Sequence, residues 1–138
     1  MKHIYFILIL AVIFSCSPNP ETFIPHINGY WEIDKVIAHN GKNRDYNYND
    51  TIDYFELNDS LIGFRKKLKP NFVGTFETSK DAENIKVILE NDSLNIYYTT
   101  AFASWKETIL LATNEQLKII NQNKDVYLYK RYQPLNLE

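Results

Sequence analysis

Cysteine is almost missing from this chain: of its 138 residues only Cys16 carries a thiol. No intrachain disulfide can form, so any fold must be held by burial and hydrogen bonding. Glycine is nearly as scarce. Gly29, Gly41, Gly63 and Gly74 are the full set, none in a glycine-rich loop, which excludes a phosphate cradle. Histidine is rare as well: after His3 there are only His26, in a proline-marked arm, and His39, at a turn, and no Gly-x-Ser-x-Gly elbow accompanies them. A nucleophile needs a base held beside it, and the acids are spread singly, so no spacing aims two carboxylates at one spot. The expectation is a protein that is not an enzyme and has no cofactor. Charge of one sign is lacking too, the net being −2. Arg65-Lys66-Lys67 with Lys69 is a small local patch that reads as a solvated strand end, so nucleic acid is not an expected partner.

A long apolar run is also absent. Residues 4–14 are uninterruptedly apolar after the basic start Met1-Lys2-His3, about half of the roughly 20 residues that a membrane-spanning helix needs. That length suits the apolar region of a secretory signal. The run ends in Ile13-Phe14-Ser15-Cys16, and this tetrapeptide with Ser17-Pro18-Asn19-Pro20 resembles the lipobox of bacterial lipoproteins, with Ile13 in place of the more usual leucine and a bulky Phe14. The resemblance implies a signal peptide over residues 1–15, Cys16 as a lipidated (palmitate-bearing) mature N-terminus, and a Gram-negative envelope as destination. The plainer alternative is a leader cleaved nearby with Cys16 left as an ordinary residue. Ser17, rather than Asp, after the cysteine implies sorting to the outer membrane, facing the periplasm or the cell surface. Pro18, Pro20 and Pro25 make residues 16–28 a tether, and residues 29–138 remain as one domain.

What is abundant is alternation and aromatic bulk: Tyr 10, Phe 8 and Trp 2. Trp31, Ile33 and Ile37 share one strand face and Glu32 and Asp34 the other. His39-Asn40-Gly41 is a turn signal, and residues 42–50 form a polar loop. Strand-like runs follow at 51–57, 61–68, 72–78, 85–90, 93–99, 102–112, 117–121 and 125–132, separated by short Asn-, Asp- and Pro-containing turns. No amphipathic helix of ten residues or more interrupts them. The fold class is all-β: an antiparallel meander closing into a small barrel of eight or nine strands.

Gly29-Tyr30-Trp31 at the head of the first run looks like the Gly-x-Trp motif of lipocalins and related calycins. Tyr127-Leu128-Tyr129-Lys130-Arg131 is similar to the last strand of lipocalin-like bacterial lipoproteins. The resemblance implies that Gly29, Trp31 and Arg131 form a structural signature, Arg131 covering Trp31 in a cation–π contact worth about 0.5 to 2 kcal/mol. Arg131 shares its strand face with Tyr127 and Tyr129, with Val126 and Leu128 opposite. If the aliphatic pair faces the core, Arg131 reaches Trp31 only through a bulge.

One further stretch has ligand spacing. Asp45, Asn47, Asn49, Asp53 and Glu56 follow a calcium-loop pattern, but Asp50 stands where the turn glycine belongs, and on a strand Asp53 and Glu56 point to opposite faces. The expectation is no metal. For function two readings stay open. A hollow barrel would bind a small apolar ligand, with Trp31, Tyr54, Phe76 and Trp105 as contacts. A filled barrel, its core packed by Trp31, Phe55, Phe64, Phe72, Phe76 and Trp105, would serve as an accessory, inhibitor or immunity-type lipoprotein touching an envelope partner through Tyr46, Tyr48 and the 42–50 loop. The anchor is the part that sequence fixes to one residue. Cys16→Ala is expected to move the protein from the membrane to the soluble fraction, and unchanged fractionation would sink the lipoprotein reading.

Overall fold

A computed structural model describes residues 16–134; the expected signal peptide at 1–15 lies outside the described residues. The first element among the described residues is a 3-10 helix, Pro20–His26. Asn19 caps it, its side chain accepting from Glu21 N at 3.1 Å, and Pro20 supplies the preset φ of a first helical position. Pro25 inside the element keeps it from growing into an α-helix. Its apolar side chains are not spent on solvent, since Phe23 and Ile27 are buried in the core. The expected tether therefore stops at Asn19, and residues 20–28 are part of the domain because two large apolar groups gain burial there.

Nine antiparallel strands follow: β1 (Gly29–Ile37), β2 (Asn43–Asp45), β3 (Ile52–Leu57), β4 (Ile62–Pro70), β5 (Phe76–Glu90), β6 (Ser93–Thr99), β7 (Ser104–Ala112), β8 (Gln116–Ile120) and β9 (Val126–Arg131). Each pairs with the next from β3 to β9, and β1 pairs with both β3 and β9, so eight strands close into a barrel. β2 is an extra ribbon on the far half of β1. The expected count of nine is reached by a different route. The runs expected at 72–78 and 85–90 are one strand, β5, whose polar middle reads as a loop by composition. There Lys66 pairs with Ala82 and Leu68 with Thr78, so Lys67 faces a bulge of three β5 residues. Such a bulge bends a long strand around the barrel. The 42–50 loop in turn contains β2.

The end of the barrel beneath the 3-10 helix is sealed by apolar packing. Trp31, Phe55, Leu94, Ile96, Leu117 and Ile119 are buried there with Ile27 and Phe23. Trp31 donates its indole N–H to Ile27 O at 2.8 Å, so the largest core side chain leaves no polar atom unpaired. Over its ring lies the Arg131 guanidinium, 3.6 Å from the centroid. Arg131 also donates to the carbonyls of Asn114 (2.9 Å), Asn28 (2.9 Å), His26 (3.1 Å) and Thr113 (3.3 Å). One side chain thus ties β9 to the N-terminal helix and to the β7–β8 turn. Gly29 makes room for it. Its φ is +123°, and a Cβ there would sit 2.7 Å from Arg131 Nη1. Tyr129 is buried and Tyr127 half-buried on the inner face, so Arg131 points inward in register with Trp31. Val126 and Leu128 face outward, and no bulge in β9 is needed.

Trp31 is fully buried and in contact with this seal, so its loss removes packing and the arginine's platform together. Trp31→Ala is expected to cost on the order of 3 to 5 kcal/mol in urea unfolding, and an unchanged transition would remove Trp31 from the centre of the fold.

Candidate functional site

The opposite end of the barrel is built differently. It is ringed by the β1–β2 turn, the 46–51 segment, and the β4–β5, β6–β7 and β8–β9 turns. On one edge of β1 the ladder changes partner: Trp31 pairs with Asp53 of β3, whereas Lys35 to Ile37 pair with β2. Asn49 fills the interval, its amide donating to Ile33 O at 2.9 Å and to Glu32 Oε1 at 3.1 Å. Polar residues in the 46–51 segment are therefore there to satisfy a strand edge that no strand covers.

Between this segment and the inner walls lies a cavity of about 430 Å3, in the range of small-molecule sites. Ile33 and Val36 of β1, Asp53 of β3, Lys67 of β4 and Tyr127 and Tyr129 of β9 reach it from the barrel, and Arg44, Tyr46 and Tyr48 from the rim. A bulge at Asp34 keeps both Ile33 and Val36 pointing inward, since Ile33 pairs with Tyr129 and Val36 with Tyr127. Asp53 is 3% exposed. Lys67 Nζ lies 2.7 Å from its Oδ1, yet outside hydrogen-bonding angles, and Oδ1 accepts no hydrogen bond.

Deeper in, the cross-strand register stacks a charged cluster on one inner face. Arg65 of β4 is paired with Glu83 of β5 and lies 3.9 Å from Glu107 of β7. Its guanidinium covers the Tyr98 ring at 4.4 Å and donates to the Tyr98 hydroxyl at 3.4 Å. Trp105 stacks on the other side of Tyr98, ring centroids 5.0 Å apart. Burial lowers the pKa of Arg65, but Tyr98, Glu83 and Asp53 outweigh it and hold the guanidinium above its ordinary value. Burial also pushes up the phenols of Tyr98 and Tyr129. It raises Glu107 as well, against the opposing pull of the Tyr98 hydroxyl and Arg65.

A second cavity, about 370 Å3, is a groove on the outer wall between Tyr48, the β4–β5 turn and residues 132–134. It adjoins an aromatic stripe on the outside of the barrel. Tyr30 stacks on Tyr54 (4.7 Å) and on Phe76 (5.0 Å), and Phe76 meets Tyr132 edge-on at 6.2 Å. The Tyr54 hydroxyl donates to Glu56 Oε2 at 2.8 Å, and that bond, with partial burial, pushes its pKa up to about 12. Of these two cavities the open-end one enters the barrel and is lined by a buried carboxylate, so it is the candidate site.

The residues named from sequence are dispersed. Trp31 belongs to the sealed end and Trp105 to the Tyr98 stack, while Tyr54 and Phe76 stand on the outer wall because strand alternation turns them away from Phe55. None of the four lines the open-end cavity. The calcium-loop residues do not converge either: Asp45 pairs with Lys35 at 3.4 Å, Asn49 serves the β1 edge, Asp53 faces inward and Glu56 outward. Among the described residues no three His, Cys, Asp or Glu side chains gather into a metal-binding group. Cys16 is exposed. What sequence reasoning missed is the polar interior of Arg65, Asp53, Glu83, Glu107 and Tyr98. Its only trace was Arg65 and Lys67 alternating with Phe64, Lys66 and Leu68, a pattern that composition reads as a solvated strand end.

The lipocalin-like domain profile matches residues 27–119, stopping short of β9 and Arg131. Among solved structures, a lipocalin-like protein from Bacteroides uniformis superposes with a TM-score of 0.51 at 7% sequence identity, over 78% of this chain and 99% of its own. An uncharacterized protein from Bacteroides eggerthii gives 0.49 at 12% identity, over 76% and 98%. No curated protein matches the chain. Identities this low speak to fold alone.

Burial of Glu107 has a pH consequence. Because its folded pKa is raised, the stability it contributes is full below the unfolded value of about 4.3 and is lost as pH rises through the folded value. The urea midpoint of the wild type relative to Glu107→Gln is expected to fall between acidic and neutral pH. A difference that stays constant over that range would contradict the burial account.

Proposed function

This chain belongs to the lipocalin-like domain family, and from that premise we propose that it is a non-enzymatic, lipid-anchored envelope protein whose barrel binds a small ligand at its open end. The observation that carries the reading is the cavity of about 430 Å3 that enters the barrel and meets inward side chains of four strands. The sealed end is packed with aliphatic and aromatic groups, so the open end is where a guest fits. Anchoring through Cys16 is supported by its exposure and by its place four residues ahead of the 3-10 helix at Pro20–His26. On this reading the protein sits in the outer membrane, facing the periplasm or the surface. The absence of catalysis is supported by the histidines. His26 is bonded to Asn114 Oδ1 at 3.0 Å at the sealed end, while His39 lies in the β1–β2 turn at the other.

A second reading has its own observation. Tyr48, Phe72, Val73 and Phe102, the last 99% exposed, stand in solvent on three segments of the open rim. Exposed aromatics grouped at one end favour contact with a protein partner in the envelope.

Native mass spectrometry of the protein isolated from membranes separates the two. A small-molecule adduct is expected on the wild type and not on Val36→Trp, which fills the mouth. An adduct-free wild type that crosslinks to a partner, with crosslinking lost in Phe72→Ser or Phe102→Ser, would replace the ligand reading with the interaction reading.

A further inference from the structure

The open-end cavity holds one feature that neither the family nor the seal requires. Asp53 is almost completely buried, it lines the cavity, and its Oδ1 accepts no hydrogen bond. A buried carboxylate oxygen without a donor is costly, and folded proteins keep few such atoms. The nearest cation, Lys67, compensates its charge at 2.7 Å without donating a hydrogen bond. The two partners differ in freedom. Asp53 is fixed between Trp31 and Lys67 in the ladder, whereas the Lys67 side chain is 62% exposed and its backbone faces the β5 bulge. Lys67 can swing into solvent without moving the backbone, but Asp53 is then uncompensated until another cation replaces it; Asp53 itself is held by the ladder on both sides.

The surroundings decide what would take the place of Lys67. Arg65 lies within electrostatic reach of Asp53 but is engaged by Glu83, Glu107 and Tyr98. Arg44 lies over the Tyr46 ring at the rim, 4.9 Å from its centroid. With Lys67 displaced, neither Arg65 nor Arg44 among the described residues is free to approach Asp53, and an anionic guest would meet that carboxylate directly. Ile33, Val36, Tyr127 and Tyr129 supply apolar and aromatic walls above it.

Resting on the open-end reading, we propose that the guest is a small molecule bearing a primary ammonium group on an apolar or aromatic body, and that its ammonium displaces Lys67 from Asp53. The exchange replaces one ammonium by another, so the buried charge stays compensated, while a free amine can take up the hydrogen-bonding direction that the tethered one does not. Lys67 acts as a built-in competitor whose local concentration sets a threshold for binding.

Calorimetric titration of the full chain with phenethylamine, its neutral counterpart 2-phenylethanol and the anion 3-phenylpropionate tests this. The amine is expected to bind most tightly of the three. Lys67→Met should tighten it by about tenfold, and Asp53→Asn should weaken it by at least about tenfold. Should Asp53→Asn melt out, the Lys67→Met titration decides alone. Equal affinity of that variant for amine and alcohol, tighter binding of 3-phenylpropionate, or weaker amine binding than in the wild type overturns the ammonium assignment while leaving a ligand site at the open end. No binding of any probe to Lys67→Met overturns the assignment, and the adduct on the wild-type protein then shows separately whether the open-end site stands.

Discussion

Everything in this barrel hangs on the guanidinium of Arg131 lying flat on the indole of Trp31. The two residues belong to the last and first long strands, so their contact joins the ends of the sheet where the barrel must close. A cation–π pair in a partly desolvated place is worth about 2 kcal/mol at most. Arg131 also donates to four backbone carbonyls, of Asn114, Asn28, His26 and Thr113, and so ties β9 to two other segments at the same end. Gly29 is the necessary third party, since a side chain on its backbone would occupy the guanidinium's position. The Gly-x-Trp pattern and the C-terminal arginine are therefore one structural device, assembled from positions about a hundred residues apart.

That device fixes which end of the molecule can do anything. With one end sealed by Trp31 and the 3-10 helix, the remaining inner surface is the open half, and there the inward side chains turn polar. A guanidinium, two glutamates and an aspartate inside a small barrel are poor investments for stability, since desolvation offsets much of their mutual attraction. They do give a surface with defined charge and direction. The tyrosines of β9 fit the same logic, because a phenol can line a half-wet wall with its ring and keep its hydroxyl toward the opening. The exposed rim residues surround the same open end, so a ligand-binding mouth and a contact surface are neighbours.

The all-β class, the antiparallel meander closing into a barrel and the lipocalin-like identity were legible in the chain, whereas the count of nine agreed only because splitting β5 offset missing β2. Alternation of Trp31, Ile33 and Ile37 against Glu32 and Asp34 is a local signal, and so are the turn residues between runs. The candidate site was much less legible. Tyr54 and Phe76 look like lining residues because aromatics usually fill interiors, and only the pairing of Tyr54 with Tyr30 turns them outward. Arg65 and Asp53 look like surface residues because charges usually avoid interiors. Strand β5 was divided in two by the polarity of residues 79–84, which a bulge, not a loop, accommodates.

By itself, then, the sequence determined the class of fold, most of the strands and turns outside β2 and β5, and a single cysteine placed where an anchor would be. These depend on side-chain period and turn chemistry over a few residues. Tertiary structure alone decided that the two tyrosines of β9 face inward, that residues 20–27 plug one end, and that Asp53 is buried toward the other beside a solvent-exposed Lys67. Each of those outcomes follows from register and closure, in which a strand's faces are assigned by partners far away in the chain. The Trp31–Arg131 contact is where both kinds of information meet: two short motifs suggest it, and the closing ladder between β1 and β9 brings them within 3.6 Å.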